Sequence, residues 1–320
     1  MSVLVTGSVA VDHIMQFEDH FKNHFVADQL EKLNVAFHVP GLSKVYGGTG
    51  ANIAFNLRRL GVDPILLATV GQDLGAYADW MDQHGLRRDH LRVIEGAYTA
   101  AAFITTDASH NQIISFHPGA MDSAHEARIA DVGDAFDIGI VSPNGRQAMI
   151  DYAKDLKAAG RTCVFDPGQG LPILDKDVLL EALTGSAIYI VNDYEWELTK
   201  DKTGLDEDGI AERVGALIVT RGENGSLVRK GGLDAGLTFE SDRVEIAPVK
   251  AAEVVDPTGC GDSYRSGLLY ALMQGFAVEK GARLGSIMGA LKVARPGPQS
   301  IDLDLDGIRA QYKSEYGEAL

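Results

Sequence analysis

The 320-residue chain has little cysteine, no long apolar run and a shortage of positive charge. Its two cysteines, Cys163 and Cys260, lie far apart, which excludes a disulfide scaffold and favours a reducing compartment. No stretch approaches the roughly 20 apolar residues that a membrane span needs. The start, MSVLVTGSVAVDHIM, is typical of a first strand rather than a signal peptide. We therefore expect a cytoplasmic protein with no membrane partner.

The shortage of positive charge excludes a second class of partner. The chain has 29 Lys and Arg against 45 Asp and Glu, a formal net charge of −16. Nucleic acid is a dense line of negative charge, so it is not an expected partner. Any phosphate must be held locally, by backbone N–H groups and a metal ion.

Apolar, β-branched runs alternate with helical patterns along most of the chain. Runs such as VLVTGSV (3–9), PILLATVG (64–71) and AIYIVND (187–193) end in Gly, Ser, Asp or Asn. Buried runs separated by helices indicate parallel strands. We therefore predict an α/β fold, a doubly wound, mainly parallel sheet with helices on both faces, whose core spans residues 1–14, 47–95 and 118–320.

Two stretches interrupt this alternation. Residues 15–46 are polar and aromatic, and residues 96–117 read as two strands around TDASHN, which is a hairpin signal. Together they predict a small β-sheet lid beside the core. An exposed β edge is a natural pairing surface, so a homodimer through this lid is one arrangement that the sequence leaves open.

DPTGCGDS opens an apolar helix and is the strongest local motif. Gly259 and Gly261 can adopt positive φ and bring backbone N–H groups close together, and the helix N-terminus adds a positive dipole end for an anion. Asp262 follows directly. It is either a helix N-cap or an acid that acts beside a bound phosphate.

Four other segments at strand ends carry glycines or polar groups. YGGTGAN (46–52) is a second glycine-rich turn, from which Asn52 projects, and Asp12 follows the first strand, where it could accept bonds from a sugar diol. In VNDYEWE (191–197), the spacing of Asn192 and Glu195 suits either a metal-bound phosphate or a plain helix start. VTRGENG (219–225) is either a nucleotide-binding turn or a hairpin turn.

In this order, GGTGAN, GQDLG, NDYE, TRGENG and DPTGCGDS resemble the ribokinase (PfkB) family of carbohydrate and nucleoside kinases over essentially the whole chain. SFHPGAM (115–121) and NDYEWEL (192–198) are similar to the bacterial adenosine kinases of that family. The resemblance implies transfer of the γ-phosphate of ATP to the 5′-hydroxyl of adenosine, giving AMP in purine salvage. It also implies Mg²⁺ and allows a monovalent cation such as K⁺.

The resemblance assigns roles to individual residues. Asp262 would be the catalytic base, beside the N–H groups of Gly259, Cys260 and Gly261. Arg265 either reaches a phosphate or is solvated. Glu195 would hold Mg²⁺ through water. The acceptor and nucleotide sites would use two sets of residues: Ser8, Asp12, Phe37, Gly48, Asn52, Phe103, Phe116 and Gln169 for the substrate, and Asn192, Thr220, Gly222 and Gly225 for ATP.

Two alternatives remain beside adenosine phosphorylation. The first keeps the reaction and changes the acceptor to inosine, guanosine or a sugar such as ribose or fructose. Phenylalanines at three lid positions favour a flat purine over a sugar. The second is a non-catalytic nucleoside or nucleotide sensor, which intact Asp262, Gly259 and Gly261 disfavour.

Overall fold

The computed structural model describes residues 2–25, 34–109 and 111–320; the rest of the predicted lid, residues 26–33 and His110, lies outside them. The described strands are β1 Val3–Thr6, β2 Ala10–Gln16, β3 Gly41–Gly47, β4 Ile65–Val70, β5 Leu91–Val93, β6 Ala100–Thr106, β7 Gln112–His117, β8 Ile138–Val141, β9 Thr162–Phe165, β10 Ile188–Asn192, β11 Ala216–Thr220, β12 Ser226–Lys230 and β13 Arg243–Ile246.

The α-helices of the described chain are α1 Thr49–Arg59, α2 Gly75–Gln83, α3 Arg146–Ala158, α4 Lys176–Leu183, α5 Asp193–Thr203, α6 Glu207–Ala211, α7 Cys260–Met273, α8 Val278–Val293 and α9 Leu305–Tyr316. Short 3₁₀ helices include Gly168–Ile173, after β9. Within these described ranges, we find no helix with the length and apolarity of a membrane span.

A nine-stranded sheet forms the core, in the order β13-β12-β11-β10-β9-β8-β1-β4-β5. Its pairs are parallel except β11–β12 and β12–β13. Alternate side chains of β1 show why both faces are covered. Val3 and Val5 pack in a cluster with α1, α2, α7, α8 and α9, whereas Leu4 packs with α3, α4 and α6. The predicted doubly wound, mainly parallel sheet is confirmed.

The strand order places a crevice at β1. β1 lies between β4 on one side and β8 on the other, so the direction of the strand order reverses at β1. Ligands of such sheets bind at this reversal, outside the carboxyl ends of the strands. The turn that contains Ser8 therefore lies at the expected ligand position.

A separate four-stranded sheet, in the order β3-β2-β6-β7, is called the lid sheet below. It joins both predicted lid stretches, and β6 and β7 form the expected antiparallel pair. One boundary differs from the sequence analysis. β2 begins at Ala10 rather than at residue 15, because its backbone pairs with both β3 and β6 from that residue onward. Asp12 therefore belongs to the lid sheet.

Candidate active site

The glycine turn (residues 259–261) begins helix α7. Gly259 has a φ of 79°, the left-handed conformation that favours glycine, and a Cβ there would lie 2.7 Å from the Cβ of Pro298. Gly259 is also the N-cap residue, and no side chain caps this helix. The N-cap alternative for Asp262 is therefore wrong: the carboxylate lies in the first helical turn.

Asp262 is held by an asparagine from the other glycine-rich turn. Asn52 Nδ2 donates to Asp262 Oδ2 at 2.8 Å. Asn52 Oδ1 in turn accepts from Gln299 Nε2 at 3.1 Å, and that amide is fixed by Tyr77 (2.7 Å) and Trp80 (2.8 Å). The structure thus brings together two predicted site residues and adds Gln299, which lies in no motif that the sequence analysis recognised.

The environment of Asp262 raises its pKa to about 6. Burial is the main cause, since it disfavours the charged carboxylate, and the charges of Asp166 and Glu195 add to the increase. The hydrogen bond from Asn52 and the charge of Arg265 oppose it. A carboxyl group with such a pKa is a better proton acceptor than an ordinary aspartate and is still ionised at neutral pH.

Arg265 lies behind the glycine turn rather than in solvent. It is 6 % exposed, its Nη2 donates to Asp166 Oδ1 at 2.6 Å, and its Nε donates to the other carboxylate oxygen. Its Nη1 contacts the carbonyl oxygen of Gly261 at 3.2 Å. The solvated alternative is therefore wrong. Asp166 follows β9 and was not predicted, although a charged residue directly after a buried strand was the available signal.

Asp12 approaches the same place from the lid sheet. A Cβ on Gly47 would lie 3.4 Å from Asp12 Oδ2 and 3.9 Å from Asn52 Oδ1, so both side chains converge on this glycine. Burial and then the charge of Asp256 raise the pKa of Asp12 to about 6. The structure therefore places Asp12 beside Asn52, which holds Asp262.

Gly48 and Ser8 allow this close approach. Gly48 has a φ of 92°, and a Cβ there would lie 2.5 Å from the carbonyl oxygen of Ser8. Ser8 Oγ accepts from the backbone N–H of Thr49 at 3.0 Å, at the start of α1. Both residues lie at the site: Gly48 allows the close approach to the Ser8 carbonyl, and Ser8 binds the first N–H of α1.

The three predicted phenylalanines do not share one face of the lid sheet. Register pairs Asp12 with Ala102 and Ala102 with Phe116, so Asp12 and Phe116 lie on the same face. Phe103 lies on the opposite face, stacked on His13 at a ring distance of 4.8 Å. A sandwich that uses all three rings on one face is therefore not what the structure shows.

Phe37 lies elsewhere, in an aromatic cluster at the end of the lid sheet. Its ring centroid is 4.9 Å from that of Phe17 and 5.1 Å from that of Phe21. Phe17 and Phe21 are buried. Within the described residues, packing against these rings accounts for Phe37.

Asn192 and Glu195 form a capping box at the start of α5. Asn192 Oδ1 accepts from the N–H of Glu195, and Glu195 Oε2 accepts from the N–H of Asn192, both at 2.8 Å. Glu195 is buried, and this burial raises its pKa, while the charge of Arg265 opposes the increase. The predicted helix-start role is met, and the oxygen-rich environment also suits Mg²⁺.

The remaining predicted residues lie at the carboxyl ends of neighbouring strands. Thr220 ends β11, and Gly222 and Gly225 flank the turn to β12. Gly225 has a φ of 80°, and a Cβ there would lie 2.0 Å from the carbonyl oxygen of Ile246, so glycine is required for packing. Gln169 is exposed in the 3₁₀ helix after β9.

The chain is similar to known proteins over nearly its whole length. The family model for pfkB family carbohydrate kinases matches residues 2–304. A nucleoside kinase of Methanocaldococcus jannaschii is 31% identical over 301 residues, which cover 93% of this chain and 92% of that protein. The structure of Burkholderia thailandensis nucleoside kinase in complex with inosine superposes with a TM-score of 0.86 at 41% identity, covering 100% of this chain and 99% of that one. The same enzyme has a solved complex with ADP-inosine, at a TM-score of 0.84.

Proposed function

The chain belongs to the pfkB family of carbohydrate kinases, and on that premise we propose that it transfers the γ-phosphate of ATP to the 5′-hydroxyl of a purine nucleoside. It is a kinase with a hydroxyl acceptor. The observation that carries the proposal is the meeting of Asp262, at the N-terminus of α7, with Asn52 and Asp12 beside Gly47. An acceptor hydroxyl held there has a base on one side and an anion-binding turn next to it.

In the proposed mechanism, the 5′-hydroxyl oxygen attacks the γ-phosphorus while Asp262 accepts the hydroxyl proton. The bond from the γ-phosphorus to the β,γ-bridging oxygen breaks, and ADP leaves. The hydrogen bond from Asn52 fixes the carboxylate during that step. Backbone N–H groups of the glycine turn and the dipole of α7 stabilise charge on the transferred phosphoryl group. Base assistance of this kind contributes about 10²–10⁴ in rate.

The nucleotide is assigned to the other strand ends. Asn192 and Glu195 lie at the start of α5, where buried oxygen ligands fit Mg²⁺ and its waters. Bound Mg²⁺ neutralises phosphate charge. Thr220, Gly222 and Gly225 would contact ATP along the turn after β11. Arg265 supports the turn from behind, through the carbonyl of Gly261.

The acceptor site is assigned to the Asp12 face of the lid sheet. Asp12 would accept hydrogen bonds from the ribose hydroxyls, with Gln169 reaching the nucleoside from the strand β9 side. Next to Asp12, this face carries Phe116 and, one row further, Ile14 and Ile114. Phe116 is 52 % exposed, so its ring is available to a ligand. A flat apolar surface beside a carboxylate fits a purine attached to ribose better than it fits a free sugar.

The sequence favoured adenosine as the acceptor, and the Burkholderia relative gives inosine an equal claim, because that enzyme was solved with inosine bound. Adenine and hypoxanthine differ in the 6-substituent and in the proton on N1, and an apolar wall does not discriminate between them. We therefore propose both nucleosides as acceptors, with adenosine giving AMP.

The test is ADP release from MgATP with adenosine, inosine, guanosine, ribose and fructose as separate acceptors. We expect turnover with the purine nucleosides and its loss in Asp262→Asn. Turnover with a sugar alone would refute the nucleoside assignment. ATP binding without turnover on any acceptor would instead support the sensor alternative.

A second test addresses the purine wall. Phe116→Ala is expected to raise KM for the nucleoside by roughly 5- to 150-fold, since a base stacked on an aromatic ring gains about 1–3 kcal/mol. Ser115→Ala is the control, because Ser115 lies on the same strand and points to the opposite face. Phe103→Ala distinguishes the two faces: an effect larger than that of Phe116→Ala would contradict the assignment.

The opposite face of the lid sheet is also proposed as the surface of a homodimer. It exposes Leu42, Phe103 and Ile113. Exposed apolar residues on one sheet face are typical of an interaction surface. Sedimentation equilibrium of the wild type should give a dimer and that of Leu42→Glu a monomer; a wild-type monomer would refute the proposal.

A further inference from the structure

Lys292, on α8, carries a buried charge that the proposed mechanism does not use. The side chain is 0 % exposed. Its Nζ donates to the main-chain carbonyl oxygens of Asp256 (2.7 Å) and Arg295 (3.0 Å). Burial lowers its pKa, and the charge of Asp256 opposes that decrease. Burying an ammonium group is costly unless it is well coordinated, so a specific role is expected for it.

The carbonyl groups that Lys292 contacts belong to the segment that leads into the glycine turn. The N–H groups of Val255 and Asp256 donate to the carbonyl of Val293, at the end of α8. The Asp256 carboxylate accepts from the N–H groups of Thr258 and Gly297, each at 2.8 Å. Residues 255–258 are therefore attached to the C-terminus of α8, and the Lys292 ammonium lies at that attachment.

The position is one where a cation is favourable. Carbonyl oxygens at the C-terminus of a helix carry the negative end of the helix dipole. Lys292 also acts electrostatically on Cys260, where its charge lowers a thiol pKa that burial raises. Cys260 is the middle residue of the glycine turn, so a positive charge lies just behind the groups assigned to the phosphate.

Rings of main-chain carbonyl oxygens are also how proteins hold K⁺. Here two carbonyl oxygens that converge behind the glycine turn already accept hydrogen bonds from Lys292. A free cation at that place would meet a fixed positive charge. The residues present therefore do not fit the monovalent cation that the family resemblance allows.

We propose that Lys292 is a positioning residue that supplies the monovalent charge behind the glycine turn, so that phosphoryl transfer needs no added K⁺. The proposal rests on the assignment of the glycine turn to the phosphate in the proposed function. The ammonium group orders the segment that contains Asp256, and this segment sets the direction of the N–H groups of residues 259–261. Lys292 itself does not touch the substrate.

The first experiment uses the wild type. Turnover is measured at constant ionic strength in the chlorides of K⁺, Na⁺ and choline. We expect the same kcat in all three salts. A saturable activation of the wild type by K⁺ overturns the proposal, whatever the variants do.

The second experiment removes the ammonium. Lys292→Ala is expected to lower kcat by at least about tenfold with little change in nucleoside KM, since phosphate positioning and not acceptor binding is lost. K⁺ or ammonium ion, but not choline, should restore kcat saturably. A purely structural role would lower the melting temperature without cation-specific recovery. Unchanged kcat, or a loss that no cation restores, overturns the proposal.

Lys292→Met is the second variant, because it keeps an apolar stem in the space and removes only the charge. It should lose activity without recovery in K⁺, since no room is left for the ion. MgATP affinity is also measured in the same salts without any acceptor. This measurement separates the proposal for Lys292 from the proposed function. If wild type turns over no nucleoside, the function is wrong, while the cation response of ATP binding still tests Lys292.

Discussion

Replacing Asp262 by asparagine is expected to stabilise the fold while it abolishes catalysis. Burial raises the pKa of this carboxyl group from 3.8 to about 6. A difference of one unit between the folded and unfolded chain is worth 1.36 kcal/mol, so the ionised group costs up to about 3 kcal/mol at neutral pH. Asparagine has the same shape, and its amide oxygen still accepts from Asn52. We therefore expect the free energy of unfolding to increase by about 1–3 kcal/mol.

The pH dependence of this gain follows from the direction of the shift. An acid whose pKa is raised on folding destabilises the fold only where the unfolded chain is ionised, above about pH 4, and the cost is complete above about pH 6. The stability difference between Asp262→Asn and the wild type should therefore be small near pH 4 and constant from pH 7 upward. From pH 7 upward, catalysis should fall by about 10²–10⁴, because the base is gone. This deficit should shrink below pH 6, where the wild-type base is itself protonated.

Urea denaturation of both proteins at pH 5 and pH 8, followed by circular dichroism, measures the difference. Asp79→Asn is the control, because Asp79 is an exposed acid on helix α2. Its stability should change by no more than about 0.5 kcal/mol. A destabilised Asp262→Asn, or a gain equal at both pH values, would refute the claim that the carboxylate is held at an energetic cost for its reactivity.

Two further predictions concern the same site. Below pH 6, log kcat/KM for the nucleoside should fall with a slope approaching 2 in wild type and 1 in Asp12→Asn. The reason is that Asp12 and Asp262 both have a pKa of about 6 and both must be ionised. A slope of 1 in both proteins would contradict this. Arg265→Met should destabilise the fold by about 3–5 kcal/mol in urea denaturation, since it leaves Asp166 buried without its partner. It should also move the acid limb of the kcat profile to higher pH, because Arg265 lowers the pKa of Asp262; a limb that stays in place or moves to lower pH would contradict that coupling.

The sequence predicted the structure best where a residue type favours one local conformation. Apolar runs such as ALIVT predicted core strands, because a strand that is buried on both faces of the sheet carries apolar residues at every position. Glycines 48 and 259 predicted tight turns, and both have positive φ. Gly261, for which positive φ was also expected, lies in the first turn of α7 and does not have it. The position of Asp262 after the second turn left a helix cap and a reactive acid open, and only the family resemblance predicted a base. That role stays a prediction, to which the raised pKa of Asp262 is suited.

What the sequence could not provide depends on long-range register and packing. Phe103 and Phe116 both read as lid aromatics, and only the pairing of β6 with β7 assigns them to opposite faces. Gln299 and Lys292 lie in no motif, and each contacts a segment that is distant in the chain, around Asn52 for Gln299 and at Asp256 for Lys292. The sequence allowed Arg265 to be a phosphate ligand or a solvated side chain, because its partner, Asp166, is 99 residues away.

An acid beside an anion-binding turn is tolerable because of where this chain holds its fixed cations. Arg265 contacts the carbonyl of Gly261 in the glycine turn, and Lys292 contacts the carbonyl of Asp256 in the segment that leads into the turn. Both cations are thereby engaged with main-chain carbonyl oxygens, and Arg265 also pairs with Asp166. Neither cation is free to pair with Asp262, which leaves that carboxylate with a raised pKa and only Asn52 as a hydrogen-bond partner among the described residues. A cation on the N–H side of the turn would bind phosphate more tightly, but it would also pair with the base and lower the pKa on which proton acceptance depends.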